Sequence, residues 1–237
     1  MMESSGNLYG LGIGPGDPEL ITVKALRLLR SAAVVAYSIS DKNKQGLARS
    51  IVLEYIKPEQ IQVPLYFPFK LEQSSQPYYD IAAETLAQHL SDGQDVVVLC
   101  EGDPFFYGTF MYIYNRLSPR FPTEVVPGIS SVMASAAALG MPLTYRNDVY
   151  MVLSSILPAE VLKAKLAVAD AAVFIKLGRH FEKVVGVLKE LGLYDRAKYI
   201  EKATTLNQRI VAIETVDPAQ VPYFSLIVVP SQWQAEE

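Results

Sequence analysis

DVVVLCEGDP, Asp95–Pro104, decides the fold of this chain. Five apolar residues, Val96–Cys100, run unbroken into a polar turn that holds Gly102 and Pro104. Such a run, bounded by turn residues, suits a strand covered on both faces, as in a parallel sheet between helices. Upstream, YYDIAAETLAQHLSDG reads as an amphipathic helix with Ile81, Leu86 and Leu90 on one side and Asp92-Gly93 as its stop. Downstream, FFYGTFMYIYNRL reads as a helix, TEVVPGI as a short strand and SSVMASAAALGM as a helix of small residues. Toward the amino terminus, NLYGLGI reads as a first strand, and Thr22 can cap a helix VKALRLLRSA whose Val23, Leu26 and Leu29 recur at helical spacing. AVVAY follows as a buried strand, GLARSIVLEYI as a helix up to Pro58, and IQVPLYF as a strand or extended edge. Strand and helix alternate throughout, which is the pattern of an α/β layer fold.

Composition breaks at PLTYRND, and a second series begins at VYMVLSSI. It runs through helix PAEVLKAKLAVA, strand AAVFIKLG, helix HFEKVVGVLKELG and strands AKYIEKATT, RIVAIETV and YFSLIVVP. A domain boundary is expected between Gly128 and Asp148, dividing an amino-terminal α/β domain with a mostly parallel sheet, 1–130, from a carboxyl-terminal α/β domain with a mixed sheet, 131–237. The length of 237 residues is sufficient for two cores.

Half of the residues are hydrophobic and 19% are charged, with a net charge of −4. The acidic balance argues against a nucleic-acid binder, which needs a basic face. One cysteine, Cys100, precludes an internal disulfide or a Cys cluster, and two histidines, His89 and His180, make a His-rich metal site improbable. No protein-bound metal is expected. MMESSGN lacks an apolar signal core, and no apolar run is long enough to span a bilayer, so the cytoplasm is the default location. Cys100 reads as a small core side chain, and His180, after KLGR, either as a cleft-facing residue or as a surface helix-start residue.

Three stretches and a set of basic residues offer chemistry. GLGIGPGDPELIT, Gly10–Thr22, places glycines at alternate positions after a strand. It fails the dinucleotide spacing G-x-G-x-x-G, because Pro15 or Asp17 falls where the last glycine belongs, and no G-K-[ST] occurs for a phosphate loop. CEGDPFFYGTF lies beyond the end of the most apolar strand, where open α/β sheets bind ligands. There Glu101, Gly102 and Asp103 form a polar loop, and Phe105, Phe106 and Tyr107 can wall an apolar ligand. In VVPGISS, Ser130 or Ser131 meets a helix amino terminus, where free amides bind oxygen. Arg146, Lys176, Arg179 and Lys202 are the basic residues nearest these stretches.

GIGPGDPELIT, EGDPFFYGT, VVPGISS, IKLGRH and YIEKATT occur in this order across nearly the whole chain. The set resembles the tetrapyrrole methylase family, the S-adenosylmethionine-dependent enzymes of corrin and siroheme synthesis. LYGLGIGPGDPELITVKA followed by EGDPFFYGTF is most similar to the members that methylate a bridge carbon in corrin synthesis. The resemblance implies two α/β domains with the methyl donor in the cleft between them, and a homodimer. It implies donor contacts at Pro15, Glu101, Gly102, Asp103, Phe106, Ser130, Ser131, Leu177 and Ala203. The first motif, with Gly14, is expected near the tetrapyrrole, and Arg146, Lys176 and Arg179 near its carboxylates. Asp103 or Tyr107 is the expected aid to proton loss. Uroporphyrinogen-III methyltransferases carry an acid at the end of the second strand; Ser38 stands there instead, which argues against that reaction. A family member acting on diphthamide or ribosomal RNA, and a non-catalytic nucleotide-binding protein, are the alternatives. Metal-free and cobalt-bearing substrates stay open.

Overall fold

The computed structural model describes residues 5–41, 45–68 and 74–232, so the first four residues of MMESSGN lie outside it. Two compact units divide the chain, 1–130 and 131–237.

The first unit alternates β1 (Leu8–Gly12), α1 (Val23–Ser31), β2 (Val34–Ile39), α2 (Leu47–Ile51), β3 (Ile61–Tyr66), α3 (Gln76–Ser91), β4 (Val96–Cys100), α4 (Phe110–Leu117) and β5 (Thr123–Val126). All strands are parallel, in the order β3-β2-β4-β1-β5. The apolar run of β4 is central and buried along its whole length. Its side chains alternate between faces. Val96, Val98 and Cys100 pack with Leu86 and Leu90 of α3 and Phe110 and Ile113 of α4. Val97 and Leu99 pack with Leu28 and Leu29 of α1 and Ala48 and Ile51 of α2. Pro64 sits in β3, the edge strand, where a missing N–H is tolerated.

Four local expectations need correction. Thr22 does cap α1, its Oγ1 accepting from Ala25 N at 3.1 Å, but the buried stripe is Ala25, Leu28 and Leu29, and Val23 is exposed. Ile81 is also exposed, whereas Leu86 and Leu90 are fully buried. At 3.6 residues per turn, five and nine positions rotate a side chain by about 140° and 180°, so Ile81 cannot share their face. Helix α4 starts at Phe110 because Tyr107, at φ 58°, interrupts the helical path. The stretch before Pro58 is α2 followed by a 3₁₀ turn, Leu53–Tyr55.

The second unit holds α5 (Ser131–Leu139), β6 (Tyr150–Ser154), α6 (Ala159–Leu166), β7 (Ala171–Ile175), α7 (Phe181–Glu190), β8 (Lys198–Glu201), β9 (Arg209–Val211) and β10 (Ser225–Val229). Its sheet order is β6-β7-β10-β8-β9, parallel between β6 and β7 and antiparallel elsewhere. Val173, Ile175, Ile200, Leu226 and Val228 pack on Val132 and Ala136 of α5. The opposite face packs on Leu162 of α6 and Val184 and Leu188 of α7. No helix among the described residues is long and apolar enough to cross a membrane.

Candidate functional site

In the first unit, adjacent strands β4, β1 and β5 release their loops at one end of the sheet. These loops touch backbone to backbone. A Cβ on Gly12 would lie 2.4 Å from Gly128 N, and one on Gly128 would lie 2.1 Å from Gly102 O. Gly102 N donates to Gly14 O at 2.8 Å, with both residues at positive φ. The alternate glycines of the first motif therefore bring three loops into contact. Pro15 follows, half-buried, and Asp17 Oδ1 accepts from Glu19 N at 2.8 Å to start the turn toward α1.

Asp103 fastens the same junction. Its Oδ1 accepts from Phe105 N at 2.9 Å and its Oδ2 from Gly128 N at 3.0 Å. One carboxylate thus ties the β4–α4 loop to the β5 loop. Glu101 points to a different neighbour: its Oε1 accepts from Ala48 N, in the first turn of α2, at 3.1 Å. Burial pushes the Glu101 carboxyl above its ordinary value, against backbone N–H bonds from Glu101 itself and Ala48 that pull it down. Nearby, Ser38 Oγ in β2 and Thr109 Oγ1 before α4 lie 3.5 Å apart. Burial, reinforced by Glu101 and Asp103, holds the Cys100 thiol well above its usual range, so it is protonated and inert.

The aromatic trio divides its work. Phe105 meets Tyr114 edge-on at 5.0 Å and belongs to the packing of α4. Phe106 and Tyr107 pack edge-to-face at 5.1 Å and present partly exposed rings. Tyr107 is held in the left-handed region, a strain of about 1–3 kcal/mol that clusters at functional loops.

In the second unit the carboxyl ends of β6, β7 and β8 point the same way. Leu177 is fully buried in the α6/α7 core, so only its backbone is available to a ligand. Ala203 is buried in the loop after β8, flanked by Lys202 and Thr204, both at positive φ. Lys176, after β7, and Arg146 are likewise at positive φ. Arg179 is exposed, and His180 is held below its ordinary value by burial and by Lys183 and Arg179. Ser131 is exposed at the start of α5, where Ser135 Oγ donates to Ser131 O at 2.6 Å; Ser130 ends the first unit. Two hydroxyls, Tyr150 OH and Ser155 Oγ, are buried without a hydrogen-bond partner among the described residues. Ser155 immediately follows β6, at the end of the sheet that carries Lys176 and Ala203.

The sequence reading missed Glu201. It is buried, accepts from Tyr199 OH at 2.8 Å and pairs with Arg209 at 3.5 Å across the β8–β9 hairpin. An acid two positions from a tyrosine on one strand, hence on one face, was the available signal. Among the described residues no cluster of His, Cys, Asp and Glu could hold a metal ion.

Within each unit, loops gather at the carboxyl ends of parallel strands, and in the first unit the partly exposed rings of Phe106 and Tyr107 stand among them. The sequence signature of the Tetrapyrrole (Corrin/Porphyrin) Methylases matches residues 7–217. Over 97% of its length the chain is 42% identical to the Cobalamin biosynthesis protein CobIJ of Mycobacterium tuberculosis, of which it spans only 47%, about half. It is 39% identical to the Precorrin-2 C(20)-methyltransferase of a Sinorhizobium species, over 95% of both chains. A solved structure of uroporphyrin-III C-methyl transferase from Thermus thermophilus, complexed with S-adenyl homocysteine, superposes with TM-score 0.68 at 28% identity, covering 95% of this chain and 92% of that one.

Proposed function

The chain belongs to the tetrapyrrole (corrin/porphyrin) methylases, and we propose that it transfers a methyl group from S-adenosylmethionine to carbon 20 of precorrin-2, or of its cobalt complex, during corrin-ring synthesis. The observation that carries this reading is the near-full-length likeness to a protein named for that reaction. The donor supplies an activated methyl group on a sulfonium, so the protein's task is mainly positioning, which accounts for about 7–11 kcal/mol of barrier at best.

Pro15, Glu101, Gly102, Asp103 and Phe106 of the first unit are the proposed donor contacts, with Ser130, Ser131, Leu177 and Ala203. Leu177 contributes its backbone, since its side chain is core. Gly14, Arg146, Lys176 and Arg179 are the proposed substrate contacts, the three basic side chains pairing with carboxylates. Asp103 acts by holding two loops together rather than by moving a proton, because both its oxygens already accept backbone N–H groups. Tyr107, at its strained loop position, orders the substrate side of that loop. A cytoplasmic homodimer is the proposed state.

A paired assay tests the reading: the protein is incubated with S-adenosylmethionine and either metal-free precorrin-2 or its cobalt complex. Trimethylated product from one of them is expected. Calorimetric binding of NAD, with none of S-adenosylmethionine or S-adenosylhomocysteine, would overturn it.

A further inference from the structure

Methylating a bridge carbon that bears hydrogen creates a proton to be removed. The carbon's π electrons form the new bond to methyl as the sulfur–methyl bond breaks and its electron pair stays on sulfur. The carbon then carries both methyl and hydrogen, and the ring a positive charge. Conjugation returns when the C–H bond breaks, its electrons re-enter the ring and the proton goes to a base.

Among the described residues of the first unit, few acids stand where such a base is needed, beyond the carboxyl ends of its parallel strands; in the second unit Glu201, last in β8, is engaged by Tyr199 OH and Arg209. Asp17 is committed to the turn before α1 through Glu19 N, and Glu19 and Asp41 are exposed. Both oxygens of Asp103 clamp loops, so protonating it would loosen the junction it maintains. Glu101 differs. It sits at the end of the central strand, and Ala48 N, 3.1 Å from its Oε1, fixes its orientation. Like Asp103, Glu101 accepts two backbone N–H groups, but its bonds do not join the β4 and β5 loops, so a proton on Glu101 leaves that junction intact. Withdrawal from water raises its proton affinity, in the direction a base needs to work near neutral pH.

Resting on the proposed C-methylation, we propose that Glu101 is the catalytic base that takes the proton from the methylated bridge carbon. The Ala48 N–H holds the carboxylate in place before transfer, and the proton passes to water when product leaves.

E101Q tests this, since the amide oxygen still accepts from Ala48 N while the base is gone. With the full chain, S-adenosylmethionine and the active form of precorrin-2, kcat is expected to fall about 100- to 10,000-fold. Because Glu101 is also a proposed donor contact, donor affinity is measured separately by calorimetry and kcat is compared at saturating donor, and melting should show a folded protein. Deuterium at carbon 20 should slow E101Q measurably more than wild type, because C–H cleavage becomes limiting. A purely structural Glu101 would leave the isotope effect unmoved. Turnover of E101Q within a few fold of wild type, or equal isotope effects in the two proteins, would overturn the assignment. An inactive wild type on both substrates would instead refute the underlying reading, so the two failures are distinguishable.

Discussion

Removing the Asp103 carboxylate should separate its scaffold role from a chemical one. Asp103→Ala deletes two bonds, to Phe105 N at 2.9 Å and Gly128 N at 3.0 Å. Bonds to a charged acceptor contribute about 1.5–3 kcal/mol each. Phe105 is exposed and Gly128 half-buried, so water replaces much of the first bond and less of the second. A net loss of about 2 kcal/mol follows. For a protein of this size that is a fall in Tm of about 4–8 °C. Asp103→Asn keeps one acceptor oxygen but turns an NH2 toward the other backbone N–H, so it should fall between wild type and Ala. If the two loops form the proposed donor site, freeing them from each other disorders it: calorimetric affinity for S-adenosylhomocysteine should drop about tenfold, while kcat at saturating donor and substrate changes less. Thermal melting, donor titration and saturating kinetics on the same three proteins decide the matter. An Ala variant with wild-type Tm and donor affinity but collapsed kcat would refute the clamp and return Asp103 to the chemistry.

Further outcomes follow from the same contacts. Glu101 has a folded-state pKa raised by burial, so its contribution to stability is full below the ordinary glutamate value and is lost as pH rises through the raised one. E101Q should therefore melt above wild type at pH 7, and the gap should close on acidification toward pH ~4, near that ordinary value; a gap independent of pH would contradict this. Gln60 is buried with Nε2 donating to Leu29 O and Ala32 O, both at 2.7 Å, so Gln60→Ala should cost about 1–3 kcal/mol in urea unfolding. Glu201→Ala leaves the buried Tyr199 hydroxyl without its acceptor and Arg209 without its partner. It should cost about 1–3 kcal/mol and raise hydrogen exchange in the β8–β9 hairpin, and unchanged exchange there would show that the pair does not hold the loop.

Local pattern carried the architecture further than the site. The uninterrupted Val96–Cys100 run is enough to imply a strand buried on both faces, and the fold places β4 in the centre of five parallel strands. Helix phase was less legible: Val23 and Ile81 are apolar yet exposed, because hydrophobicity tells what can be buried and only the neighbouring sheet decides which face is. The partners of the motif residues are long-range. Glu101 meets Ala48 across 53 positions, Ser38 meets Thr109 across 71 and Gln60 meets Leu29 across 31, and no periodicity encodes these pairings. Glu201 was within reach, since Tyr199 lies on the same strand face, but an acid in a strand also reads as a solvated edge.

These contacts explain why the family is so much easier to read than the substrate. Gly12, Gly102, Asp103 and Gly128 carry much of the resemblance, and each is spoken for by another loop: two glycines by backbone approach, Gly102 by its bond to Gly14, Asp103 by its two N–H donors. In this chain these motif residues join three strand ends. On the proposed reading, discrimination between tetrapyrroles falls to side chains beside this junction, such as Glu101, Phe106 and the Ser38–Thr109 pair in the first unit. Exchanging Ser38 and Thr109 together for alanine removes one long hydrogen bond, 3.5 Å, between the two hydroxyls, so the fold should persist with a Tm within a few degrees of wild type. The ratio of kcat/KM for metal-free against cobalt-bearing precorrin-2 should shift. A double variant with an unchanged ratio would place substrate choice elsewhere, in the basic residues of the second unit.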